Sequence, residues 1–153
     1  MYKINNINKL DNFISFAPPL MAQEEIDEVA DTLRSGWLTT GPKTERFEQE
    51  LAAYLGSARP VAVNSCTAAL HLGLTVLEVG PGQGVITTPL TFASTAHVIM
   101  YRQARPYFVD IDPRTGNISH QEIRRFLEDN CRRDADGRPR HKISGDLIST
   151  LLP

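Results

Sequence analysis

Strand-like and helix-like segments alternate through most of this chain, and that alternation limits its fold more than any other feature. Short apolar runs at 60–64, 85–89, 106–110 and 147–152 read as buried strands. Between them lie helical segments at 67–77 and 93–101 and one that opens at Ser119. Parallel strands cannot be joined by a tight turn and need a crossover of about a dozen residues or more. Successive strand–helix–strand units therefore predict an α/β fold, a mostly parallel sheet with right-handed crossovers and helices on both faces. The glycines of Gly80-Pro-Gly-Gln-Gly84 precede a strand instead of following one, so they read as a turn and not as a nucleotide loop.

Upstream of the alternation, residues 1–12 form a polar arm, and 13–19 an extended stretch ending in Pro18-Pro19. Ile26, Val29, Ala30 and Leu33 then recur at helical spacing, with Gly36 as the stop. A second helix follows with Pro42 in its first turn, a face of Phe47, Leu51, Tyr54 and Leu55 predicted to be buried, and Gly56 at its end. Downstream, 112–117 is turn chemistry, and Ser119-His-Gln-Glu122 predicts a reciprocal capping box before Ile123, Phe126 and Leu127. Residues 128–146, with five basic and five acidic side chains, read as a solvated, mobile loop. The final run, 147–152, is expected to lack a covering helix and to leave a sheet edge or face open.

Composition narrows the function. Sixteen basic and eighteen acidic residues give a net charge of −2, which offers no electrostatic case for nucleic-acid binding. Two cysteines, Cys66 and Cys131, are too few for a disulfide framework or a four-cysteine zinc site, and no histidine spacing suggests a metal. Neither a secretory signal nor a run of about 18 apolar residues is present, so the expectation is a cytoplasmic protein with no membrane partner.

The densest chemical signal is Val63-Asn-Ser-Cys-Thr-Ala-Ala-Leu70, a predicted strand entering a helix through hydroxyl-bearing and small residues. The first turn of a helix offers unpaired N–H groups and the positive end of a dipole, a ready anion site. Ser65 and Thr67 can add hydroxyls, and Ala68 lets a phosphate come close. The same residues also suit simple helix capping, so both readings stand. Cys66, with no histidine beside it in sequence, reads as a small buried residue rather than a nucleophile. His71 falls in an apolar helix, and Asp110 and Asp112 read as turn residues. Phe92, just past a strand, lies where open α/β sheets place ligands, although core packing is the favoured reading for an isolated phenylalanine.

Four motifs, Gly36-Trp-Leu-Thr-Thr-Gly-Pro42, Asn64-Ser-Cys-Thr-Ala-Ala-Leu-His71, Thr88-Pro-Leu-Thr-Phe92 and Phe108-Val-Asp-Ile-Asp-Pro113, stand in the order and spacing of one family. From about residue 13 to 117 the chain resembles the DegT/DnrJ/EryC1/StrS family, pyridoxal-phosphate (PLP) sugar aminotransferases of fold type I. The resemblance implies that 13–153 is an incomplete large domain of that fold. It implies a cofactor-binding stretch of Ser65, Cys66, Thr67 and Ala68, with Thr67 and Ala68 at the phosphate and Phe92 stacked on the pyridine ring. Cys66 stands where glycine is common, and Gln83-Gly84 replaces an acidic pair.

Family members are more than twice as long as this chain. None of Lys3, Lys9, Lys43 or Lys142 matches the context of their Schiff-base lysine, and the aspartate at the pyridine nitrogen has no counterpart either. The implied function is the N-terminal part of an enzyme that moves an amino group from an amino acid, commonly glutamate, onto a keto-sugar nucleotide. The resemblance also implies a homodimer. These residues alone are expected to be inactive and to bind PLP weakly or not at all. The other reading is a non-catalytic binding or dimerisation module derived from the same family.

Overall fold

The computed structural model describes residues 19–56 and 59–153, so the predicted arm at 1–12 and the stretch at 13–18 lie outside the described residues. The chain divides into two units, Met1–Ala62 and Val63–Pro153.

In the first unit, α1 (Gln23–Ser35) starts with the Glu25 carboxylate accepting the Ala22 N–H at 2.6 Å and stops at Gly36, whose φ of 73° is left-handed. α2 (Pro42–Leu55) has proline in its first turn, where the missing N–H costs nothing. Before it, the Trp37 indole donates to the Thr40 carbonyl at 3.0 Å and folds over Gly41, leaving no room there for a Cβ. Lys43 bridges Glu28 (2.5 Å) and Asp31 (2.8 Å) on α1, and Arg46 reaches Glu28 at 2.9 Å. Hydrogen bonds from Lys43 and Arg46 hold the Glu28 carboxyl down at about 2. The predicted burial of the α2 face is not found: Phe47, Tyr54 and Leu55 are exposed, and neither helix buries a residue. Apolar periodicity is enough to set a helix, but burial needs a second apolar surface, which the described residues of this unit do not supply.

The second unit follows the predicted alternation: α3 (Cys66–Val76), β1 (Gln83–Thr87), α4 (Ser94–Tyr101), β2 (Arg105–Phe108) and α5 (His120–Asn130). A hairpin of β3 (Cys131–Arg133) and β4 (Pro139–His141) then leads to β5 (Leu147–Leu151). The sheet order is β2-β1-β5-β4-β3. β1 pairs in parallel with β2 and β5, whereas β4 pairs antiparallel with β3 and β5, so the sheet is mixed.

Each face carries its own core. Val85 packs with Leu74, Val98 and Ile99 beneath α3 and α4. Its neighbour Ile86 points to the other face, with Tyr107, Cys131 and Ile148 beneath α5. Gly84 lets β2 and β5 close over β1, since a Cβ there would lie 2.5 Å from the Tyr107 ring and 2.7 Å from Ile148.

Three expectations need correction. Residues 60–64 are not a strand: the segment is unpaired, with Val61 77% exposed, and β1 already has neighbours on both sides. Residues 128–146 are not a loop. α5 continues to Asn130 and the hairpin follows, its turn closed by Gly137 (φ 76°) and by Asp134, which pairs with Arg138 at 3.3 Å and Arg140 at 3.0 Å. Charges that look solvated in composition neutralise one another locally. Nor is the sheet mostly parallel: β3 and β4, and β4 and β5, pair antiparallel. β5 lies between β1 and β4 with Ile148 buried, and because β4 pairs with it only through Arg140 and Leu147, the edge expected to be open at 147–152 is open beyond Leu147 among the described residues. The capping box forms by half: the Ser119 hydroxyl accepts the Glu122 N–H at 3.3 Å, while the Glu122 carboxylate lies 3.9 Å from Arg125.

Candidate functional site at the carboxyl edge of the sheet

α3 begins at Ser65, whose φ of −162° is extended backbone and whose hydroxyl accepts the Ala68 N–H at 3.1 Å. The Ser65 carbonyl takes the Ala69 N–H at 3.1 Å, so Ser65 does cap the helix. The amides of Cys66 and Thr67 make no hydrogen bond among the described residues. Capping and anion binding are therefore compatible here, since the cap uses Ala68 and leaves two donors at the positive end of the dipole. Cys66 is exposed, not buried as expected.

The connectivity places this helix end. α3 packs through Leu70 and Leu74 on the core containing Val85, and a short turn joins its far end to the start of β1. It therefore runs antiparallel to β1, and its N-terminus reaches the carboxyl edge. At that edge the chain turns through Thr88, whose hydroxyl accepts the Leu90 N–H at 3.2 Å, and through Thr91 and Thr95, whose hydroxyls share a hydrogen bond of 3.0 Å. Phe92 projects from this turn with 81% of its surface exposed, so it packs in no core formed by the described residues.

Sequence reasoning missed Thr87. Its hydroxyl is fully buried at the end of β1 and has no partner among the described residues. By strand alternation it faces the α3–α4 side, with Val85. The only signal was the run Thr87-Thr88 ending an apolar strand, a place where hydroxyls are costly unless partnered.

Farther along the edge an open depression of about 1330 Å³ is lined by residues including Thr88, Asp110, Arg114, Ser119 and His120. The turn readings fit the two aspartates: Asp110 accepts the Ile111 N–H at 2.8 Å, and Asp112 accepts the Arg114 N–H at 2.9 Å. The Arg114 guanidinium and amide hold the Asp112 carboxyl below its usual range.

The remaining candidates lie elsewhere. The His71 ring meets Tyr101 edge-on at 6.0 Å. Lys142 caps the end of α5, donating to the carbonyls of Glu128 at 3.3 Å and Asp129 at 2.7 Å. Lys43 is held by Glu28 and Asp31. Lys3 and Lys9 lie outside the described residues. Two free N–H donors, the Thr67 hydroxyl, a helix dipole and an exposed aromatic ring fit a planar aromatic phosphate such as PLP.

Comparison with known proteins shows the chain's kinship. The model of the DegT/DnrJ/EryC1/StrS aminotransferase family matches residues 19–133. Spore coat polysaccharide biosynthesis protein SpsC of Bacillus subtilis (strain 168) is 53% identical over 112 residues, which cover 73% of this chain and 29% of that protein. UDP-4-amino-4-deoxy-L-arabinose--oxoglutarate aminotransferase of Shewanella sediminis is 42% identical over 102 residues, covering 67% of this chain and 26% of that protein.

Among solved structures, the putative sugar aminotransferase Spr1654 from Streptococcus pneumoniae, in its PLP form, superposes with a TM-score of 0.66 at 46% identity. The match covers 73% of this chain and 29% of that one. A DegT DnrJ EryC1 StrS aminotransferase from Brucella abortus gives a TM-score of 0.69 at 26% identity over 86% of this chain and 34% of that one. The chain thus spans less than a third of the length of the curated relatives it matches.

Proposed function

The chain belongs to the DegT/DnrJ/EryC1/StrS aminotransferase family, and from that premise we propose that it supplies the phosphate-binding end and one stacking face of a PLP site. The enzyme would transfer an amino group from an amino acid to a keto-sugar nucleotide. One observation carries this reading: Ser65 caps α3 through Ala68 and leaves the Cys66 and Thr67 amides free at the sheet edge that bears the exposed Phe92.

The cofactor's phosphate would accept from the Cys66 and Thr67 amides and the Thr67 hydroxyl, with the helix dipole favouring its charge. Ala68 keeps side-chain bulk away from it. The Phe92 ring would fix the plane of the pyridine. When bound, PLP supplies the electron sink for amino-group transfer. A lysine would be needed to carry the proton between substrate and cofactor. Lys43 is engaged in the first unit and Lys142 caps α5, so neither is offered to the site. We expect no turnover from these 153 residues by themselves, because none of Lys3, Lys9, Lys43 and Lys142 stands in the sequence context of the family's Schiff-base lysine.

The dipole and stacking contributions are about 0.5–2 kcal/mol each, which after the cost of association leaves millimolar affinity or weaker. The test is to add PLP, reduce with borohydride and map the modified lysines by mass spectrometry. Scattered, substoichiometric labelling without turnover is expected. Stoichiometric labelling of a single lysine, together with turnover of a keto-sugar nucleotide, would overturn the assignment.

A second reading rests on the apolar side chains that α3 and α4 leave exposed, Leu72, Val76 and Tyr101. They suit a non-catalytic module that pairs with a full-length homologue or with another copy of itself. Co-purification with such a homologue, undisturbed by added PLP, would favour it. Among the described residues no helix is long and apolar enough to cross a membrane.

A further inference from the structure

Away from the carboxyl edge, a chain of polar side chains fastens the hairpin to the sheet. Arg105 Nε and the Tyr107 hydroxyl both donate to Asp146 Oδ2, at 2.8 and 2.7 Å. The one hydroxyl proton of Tyr107 is thereby used, so across the 2.6 Å to Ser144 Oγ the tyrosine oxygen accepts and the serine donates. Ser144 Oγ in turn accepts the Asp146 N–H at 3.2 Å. The chain ends on His141, whose Nδ1 lies 3.2 Å from the Ser144 amide nitrogen and 3.1 Å from Ser144 Oγ. A backbone N–H can only donate, so Nδ1 carries a lone pair and the proton of the neutral ring sits on Nε2.

The bonds of this turn matter because β4 pairs with β5 only through Arg140 and Leu147. Within the turn, the His141 N–H donates to the Asp146 carbonyl at 2.9 Å and the Gly145 N–H to the His141 carbonyl at 3.0 Å. The imidazole is half-buried, with its centroid 4.7 Å from the Tyr107 ring and 6.1 Å from Phe126 of α5. The charged groups around it are engaged elsewhere. Lys142 donates to the Glu128 and Asp129 carbonyls, Arg140 pairs with Asp134, and on α5 Arg125 lies between Glu122 and Asp129. Cys131, the register partner of His141 on β3, is buried, which pushes its thiol up. Asp146, held by Arg105 and Tyr107, is the carboxylate of the chain itself.

We propose that His141 is a proton-operated latch on the junction between hairpin and sheet. The neutral ring holds the Ser144 N–H and closes the turn 141–146. When Nδ1 takes a proton from solvent it has no lone pair left, and two donors then face each other across 3.2 Å. The neighbouring acceptor is Ser144 Oγ, and turning to it leaves the Ser144 N–H without a partner. Acid thus exchanges a closed turn for a looser one, through a single side chain whose two protonation states need different partners.

The test is NMR of the nitrogen-labelled whole chain between about pH 8 and about pH 5. The neutral His141 ring should carry its proton on Nε2, with Nδ1 at the resonance of a bare nitrogen. The Ser144 amide resonance should move with the same midpoint as the ring. Amide-exchange protection at Gly145, corrected for the intrinsic rate, should fall several-fold at the acid end. His141→Asn offers a carbonyl oxygen in place of Nδ1 and does not titrate, so both changes should be lost, whereas His120→Asn should leave both in place. A neutral ring protonated on Nδ1, a Ser144 amide that ignores the ring, or constant protection at Gly145 would overturn the proposal, and these three readings need no variant. Changes that persist in His141→Asn, or vanish in His120→Asn, would overturn it as well.

Discussion

At Gly84 a Cβ would meet the Tyr107 ring at 2.5 Å and Ile148 at 2.7 Å, inside a sheet that is closed on both sides. Gly84→Ala should therefore destabilise the chain by about 1–3 kcal/mol through overpacking, measured by urea denaturation. Asp146 is a second residue whose role is set by its partners. Its Oδ2 accepts from the Tyr107 hydroxyl at 2.7 Å and from Arg105 at 2.8 Å, fastening the start of β5 to β2. Burial pushes the carboxyl up, but hydrogen bonds from Tyr107, Ser144 and Arg105 outweigh it and hold the group below its usual range. Its stabilising contribution is thus present above the unfolded value of about 4 and lost as pH falls through the lower folded value. Asp146→Asn should cost about 1–2 kcal/mol at pH 7, and the gap from the parent should close toward pH 3. A gap that stays constant with pH would contradict the assignment. Neither role was legible in the sequence: Gly84 read as part of a turn, and Asp146 as the end of a loop, because both depend on contacts between distant segments.

Helices were more legible than strands because their signals are local. Gly36 at the end of α1, Pro42 at the start of α2 and Ser119 at the start of α5 all act within one turn of the chain. A strand depends on its neighbours. Residues 60–64 have the composition of a strand but no partner strand among the described residues, while Cys131–Arg133 and Pro139–His141 have the composition of a loop yet pair with each other. The hairpin was hidden because the acid–base pairs that close it are a matter of spatial arrangement, not of counts. Amide hydrogen exchange should accordingly show protection at Arg132 and Arg140, whose backbones pair across the hairpin, and a fully exchanging hairpin would contradict its register. At the start of α3 the sequence pattern located the element and the structure gave its geometry. Ser65→Ala removes the hydroxyl that accepts the Ala68 N–H and should cost about 1 kcal/mol in thermal or chemical unfolding.

Across the whole molecule, the four family motifs made the kinship legible before any geometry, because each is a compact run whose residues act together. What the sequence did not disclose is how much apolar surface the chain leaves open. Val76 and Leu77 on and after α3, Tyr101 on α4 and Phe108 on β2 are all exposed. The side of β5 beyond Leu147 has no partner strand from β4. Such surface invites pairing between chains. Size-exclusion chromatography with light scattering should find self-association that grows with concentration. A monodisperse monomer with one cooperative thermal transition would show that the 153 residues are self-sufficient. The central claim is that the first turn of α3 holds a phosphate. It is tested most directly by titrating the isotope-labelled chain with pyridoxamine phosphate and, separately, with pyridoxamine while following backbone amide resonances. The phosphorylated compound should shift the Cys66, Thr67 and Ala68 amides with saturation in the millimolar range, and pyridoxamine should leave them in place. Equal shifts with both compounds, or none at these three amides, would contradict the claim.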